Sequence, residues 1–241
     1  MLVIFDCDGV LVDSEIISAR VLSECLAAEG FTLSAGQVIE RYRGKSVPHC
    51  ERMAAADLAG ADDQTPLSDE QLARGQRFWR HMQAETLRAC ERDLDTVPGV
   101  EAVLEELEAR GIPYCVASNG KHEKMAVTLR ATGLQARFDG RIFSYEDVAQ
   151  GKPAPDLFLF AAHSLGVEPS QSVVIEDSVT GVRAAKAAGM RVLGFCPPEP
   201  DGNANPLLGE MQALGAECFF AMPELLERLD KPTAVREIAD G

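Results

Sequence analysis

Asp6 and Asp8 stand two residues apart at the end of the apolar run Leu2-Val3-Ile4-Phe5. A short continuous apolar run of this kind reads as a buried strand, so Asp6 is predicted at the strand's carboxyl end, facing a cleft. Burying two neighbouring acids without a cation is costly, and a hard cation such as Mg²⁺ resolves the repulsion by taking oxygen ligands. Three further segments place reactive side chain types after apolar runs. Ser118-Asn119-Gly120 follows Tyr114 to Ala117 and opens a helix, where a hydroxyl and backbone amides can hold phosphate oxygens, although in isolation such a pair reads first as an N-cap. Gly151-Lys152-Pro153-Ala154-Pro155-Asp156 sets Lys152 as a cation just before a proline-started helix. Glu176-Asp177-Ser178 ends the run Val173 to Ile175 with two adjacent acids, and Asp177 and Ser178 could also serve only as helix caps.

The elements that must position these residues alternate. Leu2 to Phe5, Tyr114 to Ala117, Ile142-Phe143, Val173 to Ile175 and Val192 to Phe195 read as buried strands of a parallel sheet. Between them, helical patterns run Val100 to Arg110, Met125 to Thr132, Pro155 to Leu165 and Ser178 to Ala188, each followed by a glycine. The prediction is an α/β, doubly wound (Rossmann-like) parallel sheet. Residues 14–93 break the rhythm with helical periodicities such as Ala19 to Ala28 and Glu70 to Met82 and no convincing strand. They are expected to form an all-helical cap domain, inserted into a core made of residues 1–13 and 94–241. Its point of insertion after the first strand makes it a candidate lid, because open α/β sheets bind ligands beyond the carboxyl ends of their strands. Ala59 to Pro66 reads as a loop within it, and Pro197 to Pro206 as a Pro/Gly/Asn-rich excursion.

Asp6-Cys7-Asp8-Gly9-Val10-Leu11-Val12-Asp13-Ser14 resembles the first motif of the haloacid dehalogenase superfamily, D-x-D-G-[TV]-[LV]-x-[DN]-[ST]. The other three segments resemble its second, third and fourth motifs, in order. The resemblance implies that Asp6 is a nucleophile that becomes an aspartyl-phosphate and that Asp8 is the general acid/base. It makes Ser118 and Asn119 phosphate-binding residues and Lys152 a partner of both phosphate and Asp6. It also implies a Mg²⁺ site built from Asp6, the Asp8 carbonyl and Asp177, with Glu176 ligating directly or through water. The insertion falls where this superfamily places helical, C1-type caps. Phosphatase chemistry is the leading expectation. A β-phosphoglucomutase-type mutase is the alternative, but those mutases carry a cap histidine where this chain has Ser18. Dehalogenation ranks lower because it does not use the second aspartate, and a silent ligand-binding homologue ranks lower because Asp6, Asp8, Lys152 and Asp177 are all retained.

Within the insertion, Arg41-Tyr42-Arg43-Gly44-Lys45-Ser46 is a cationic turn in an acidic chain. It resembles the cap substrate loop of β-phosphoglucomutase-like enzymes, which makes Arg43 and Lys45 candidates for the part of the substrate that is not transferred; a solvated helix end is the competing reading. His49, Trp79 and Arg80 are weaker candidates that suit lid packing as well. The first motif together with Val116 to Gly120 and Gly194-Phe195-Cys196 looks most like bacterial sugar-phosphate phosphatases, those acting on 6-phosphogluconate included. Across 241 residues, a hydrophobic fraction of 46% supports a sizeable core, and a net charge of −15 argues against nucleic acid or anionic membrane as a partner. The seven cysteines are an odd number and include no C-x-x-C pair, which suits a reducing cytoplasm rather than a disulfide framework. The expected partner is a small phosphorylated substrate, and the expected state is a monomer or weak dimer in the cytoplasm.

Overall fold

Six strands hydrogen-bond side by side in a computed structural model that describes residues 1–43, 45–199 and 202–231. Gly44 of the cationic turn and Pro200-Asp201 of the predicted excursion lie outside the described residues. In chain order the strands are β1 (Leu2–Phe5), β2 (Tyr114–Ser118), β3 (Ile142–Ser144), β4 (Ser172–Glu176), β5 (Arg191–Phe195) and β6 (Glu217–Phe219). Every pairing is parallel and the spatial order is β3-β2-β1-β4-β5-β6. This is the doubly wound order, with its topological switch between β1 and β4, where α/β sheets bind ligands. β1, β2 and β4 are buried along their whole length, as a sheet covered on both faces requires.

The described chain separates into two units, one made of Met1–Val12, Thr96–Met125 and the chain from Leu134 onward, the other of Asp13–Asp95 and Ala126–Gly133. The second is all-helical: α1 (Ser14–Ala28), α2 (Ala35–Tyr42), α3 (Val47–Ala59) and α4 (Asp69–Asp93). On α1, Ile17, Val21, Leu22 and Leu26 are buried, the spacing of one helical stripe. Ser34 and Ser68 begin α2 and α4 with capping boxes, each hydroxyl accepting from the glutamine amide three residues on. α3 and α4 pack closely at Gly75, where a Cβ would come within 2.4 Å of the Glu51 carbonyl and 2.6 Å of the Ala55 methyl. Trp79 packs inside this unit, stacked on Tyr42 with ring centroids 5.8 Å apart.

The sheet is flanked by α5 (Val100–Ala109), α6 (His122–Ala131), α7 (Asp156–Ser164), α8 (Val179–Ala187), α9 (Leu208–Ala213) and α10 (Glu224–Leu229). α6 starts in the sheet unit and its second half, from Ala126, groups with the helical unit. One core cluster joins Leu2 and Ile4 of β1 to Leu157, Phe158 and Ala161 of α7 and Val182 and Ala185 of α8. These small and branched side chains let the helices lie flat on a continuous apolar sheet face.

Candidate active site

Register places the chemistry at the carboxyl ends of the central strands. Phe5 of β1 pairs with Val116 and Ile175, so the next residue, Asp6, stands beside the last residues of β2 and β4, with its amide donating to the Ile175 carbonyl at 3.0 Å. Asp6 is 8% exposed and Glu176, at the end of β4, is fully buried. Lys152, itself 8% exposed, bridges them: its ammonium donates to Asp6 Oδ1 at 2.6 Å and to Glu176 Oε1 at 2.5 Å. The ammonium also lies 4.8 Å from the centre of the Phe158 ring, whose face favours a cation. Among the described residues, no protein group hydrogen-bonds the other Asp6 oxygen.

Burial raises the Asp6 carboxyl to about 6, with Lys152 pulling it down and Glu176 and Asp8 pushing it up. Burial works against the Lys152 charge, but Asp6 and Glu176 more than offset it and hold the ammonium above the ordinary lysine range. A buried lysine between two carboxylates is thus fixed as a cation beside a carboxylate of moderate basicity.

Two predicted site residues bond protein groups. Glu176 Oε1 accepts from Lys152, and its Oε2 accepts from the Ser178 amide at 3.0 Å and hydroxyl at 2.8 Å. The Asn119 side chain bonds backbone. Its Oδ1 accepts from the Lys152 amide at 2.9 Å and its Nδ2 donates to the Lys152 carbonyl at 3.0 Å, so it clamps the Lys152 peptide from the end of β2. These four residues line a cavity of about 310 Å³: Asn119, Tyr145, Gly151 and Lys152. Ser118 is buried, and its hydroxyl accepts from the Gly120 amide at 3.2 Å.

Asp177 lies against the turn that follows β1. Gly9 has φ +76°, and a Cβ there would sit 1.9 Å from Asp177 Oδ2, so only glycine accommodates both the backbone and the carboxylate. The donor set fits a hard divalent cation. Asp6 and Asp177 offer carboxylate oxygens from adjacent strand ends, and the Asp8 carbonyl lies on the same turn. Among the described residues, no three acidic, histidine or cysteine side chains form a preformed cage. The oxygen donors at Asp6, Asp177 and the Asp8 carbonyl are of the kind Mg²⁺ takes, an ion that keeps several waters and needs only one or two carboxylates.

In the helical unit, Arg43 is held by Glu15, with bonds of 2.7 and 3.0 Å, and Arg41 by Asp57 and Asp63. Asp57 is buried and also accepts from the Tyr42 hydroxyl at 2.5 Å, which locks the start of the cationic turn. Lys45, by contrast, makes no ion pair among the described residues; with His49, Gln37, Glu40, Arg41 and Asp63 it lines a cavity of about 340 Å³. Arg80 is exposed and, among the described residues, bonds only its own helix, at the Gln76 carbonyl.

Sequence reasoning overlooked several contributors. Lys124, on the first turn of α6, donates to Asp8 Oδ2 at 2.7 Å. His122 pairs with Asp147 at 2.8 Å, and its amide donates to Glu146, which ties the start of α6 to the turn after β3. One clue was present for Lys124, a cation in the first turn of a helix, the end that disfavours positive charge.

Residues 1–189 match the hydrolase family described as haloacid dehalogenase-like hydrolase. The chain is 30% identical over 194 residues to 6-phosphogluconate phosphatase of Escherichia coli, covering 80% of this chain and 81% of that protein. It is 31% identical over 203 residues to the phosphorylated carbohydrates phosphatase of Thermotoga maritima, covering 84% and 88%. Among solved structures, a hydrolase of the same family from Deinococcus radiodurans, with bound phosphate and sodium, superposes with a TM-score of 0.77 at 32% identity, covering 95% of this chain and 94% of that one. A parallel sheet in doubly wound order, a buried aspartate bridged by lysine at the switch point, and a match over residues 1–189 place this chain in the haloacid dehalogenase-like hydrolase family.

Proposed function

We propose that this protein is a Mg²⁺-dependent phosphatase that hydrolyses a small phosphorylated metabolite, a sugar or sugar-acid phosphate, through an aspartyl-phosphate on Asp6. The observation that carries the reading is the buried Asp6 carboxylate, held through one oxygen by Lys152, which Glu176 and Phe158 fix in turn. Asp6 attacks phosphorus as the bond to the leaving oxygen breaks, and Asp8 gives that oxygen its proton. Water then attacks the same phosphorus, Asp8 takes the water's proton, and the bond to Asp6 breaks to release phosphate. Lys152 offsets charge that develops on the phosphoryl oxygens, and Ser118 with the amides behind it binds them. Asp6, Asp177 and the Asp8 carbonyl would hold Mg²⁺, which supplies further neutralisation of phosphoryl charge.

Water is favoured over a second sugar as acceptor. Ser18 stands where mutases of this superfamily carry a histidine, and its hydroxyl donates to the Ser14 carbonyl at 2.8 Å, inside its own helix. The helical unit, in this reading a lid of residues 14–93, selects the part of the substrate that is not transferred. Lys45 is the leading contact, with Arg43 held by Glu15 beside it. The names of the two curated relatives, a 6-phosphogluconate phosphatase and a phosphorylated carbohydrates phosphatase, support this substrate class. The test is phosphate release, with and without Mg²⁺, across sugar phosphates, sugar-acid phosphates, phosphoglycolate and nucleotides. Metal-dependent release that favours sugar acids is expected. Preference for neutral hexose phosphates would remove the sugar-acid assignment, and undiminished release after chelation would remove the metal.

A further inference from the structure

We infer that Lys124 is a positioning residue for Asp8, one that sets the carboxylate for its task in hydrolysing the phosphoenzyme; the inference rests on the two-step reaction proposed above. Asp8 and Lys124 are 116 residues apart in sequence, yet the Lys124 ammonium donates to Asp8 Oδ2 at 2.7 Å. The pair is partly shielded, with side chain exposures of 34% for Lys124 and 30% for Asp8, so its geometry counts for more than its contribution to stability. The same oxygen faces the second motif, since a Cβ built on Gly120 would lie 3.9 Å from it. Lys124 belongs to the first turn of α6, the N-terminal end of a helix that favours anions, so its placement is explained by its partner rather than by its helix.

The ammonium of Lys124 thus has a geometric effect. Asp6 is already bridged to Lys152 and Glu176, while Lys124 draws the second carboxylate toward Gly120 and α6. Two carboxylates on one turn are thereby given separate cations, which keeps Lys152 on Asp6. Once Asp8 has given its proton to the leaving oxygen it is a carboxylate that must take a proton from the attacking water, and Lys124 orients it in that state. Lys124 itself loses and gains no proton.

A ping-pong reaction separates this role from others. An aryl phosphate such as p-nitrophenyl phosphate has a leaving group that needs little protonation, so its kcat/KM reports phosphorylation of Asp6 while kcat reports breakdown of the phosphoenzyme. Lys124→Met is expected to lower kcat about tenfold, short of the ~10² to 10⁴ that loss of the general base itself costs. KM should fall in parallel, kcat/KM should stay near the wild-type value, and acid-quenched phosphoenzyme should accumulate at steady state. Lys124→Arg, which keeps a cation, should restore most of kcat, and Lys124→Gln should behave like the methionine variant. A proportional loss of kcat/KM without phosphoenzyme build-up, a rise in KM at constant kcat, or wild-type constants throughout would each overturn the inference. Failure of the underlying two-step reading looks different: the wild-type protein itself would then form no acid-stable phosphoenzyme.

Discussion

Asp6 has a carboxyl raised to about 6 by burial, and that shift links it to stability. Between the unfolded carboxylate value of about 4 and about 6, the native chain holds a proton that the unfolded chain has released. Stability from this group is therefore present at low pH and is lost as pH rises through about 6. In metal-free protein, Asp6→Asn removes that slope. The stability difference between the variant and wild type, from urea unfolding, should shift in favour of the variant as pH goes from about 4 to 7; a difference independent of pH would show that Asp6 is not raised. Asn119 acts on the backbone of Lys152, so Asn119→Ala should lower kcat by about tenfold or more through misplacement of the lysine, with KM little changed. An effect confined to KM would return Asn119 to phosphate binding. Gly9→Ala forces a strained φ and drives a methyl into Asp177. It should raise the Mg²⁺ concentration needed for half-maximal activity, and an unchanged requirement would remove Asp177 from the metal site.

At the scale of elements, the helical unit depends on close packing and capped ends. Gly75→Ala introduces a methyl at the closest approach of α3 and α4 and should destabilise by roughly 1 to 3 kcal/mol, seen as a lower thermal midpoint. Ser68→Ala, which removes the capping hydroxyl of α4, should cost about 1 kcal/mol by the same measurement. The sequence made β1, β2, β4 and β5 legible because each is a continuous apolar run between helical patterns. β6 was hidden because Glu217-Cys218-Phe219 is three residues long and shows no period. α2 and α3 were not delimited because the cationic stretch Arg41 to Ser46 that joins them drew the reading to a turn, while their order comes from tertiary contacts such as Asp57 with Arg41 and Tyr42. Asp6, Ser118, Lys152 and Asp177 were legible because their types and their place after strands agree with one chemistry. The Lys124–Asp8 pair and the Asn119 clamp were not, since their partners lie 116 and 33 residues away in sequence and only the fold brings them together.

At the scale of the molecule, strand order could not be read from local patterns, because parallel strands joined by helices admit several arrangements until the chain reverses direction across the sheet at β1 and β4. Charge acts at this scale too. A net charge of −15 works against binding a phosphate backbone, while Lys152 is a single buried cation paired with Asp6. Mixing the protein with duplex DNA at low salt should therefore give no retarded species in a gel, and a retarded band that disappears with salt would contradict that. All seven cysteines are free thiols in the structure, so a reductant should leave the thermal midpoint unchanged.

The central claim is covalent transfer to Asp6. Mixing the enzyme with Mg²⁺ and a phosphorylated substrate, quenching in acid within a turnover, and reducing with borohydride converts an aspartyl-phosphate to homoserine, which peptide mass spectrometry locates. The account predicts the conversion at Asp6 alone, and none in Asp6→Asn, which should also release no phosphate. Full turnover by Asp6→Asn, or conversion at another residue, would contradict it.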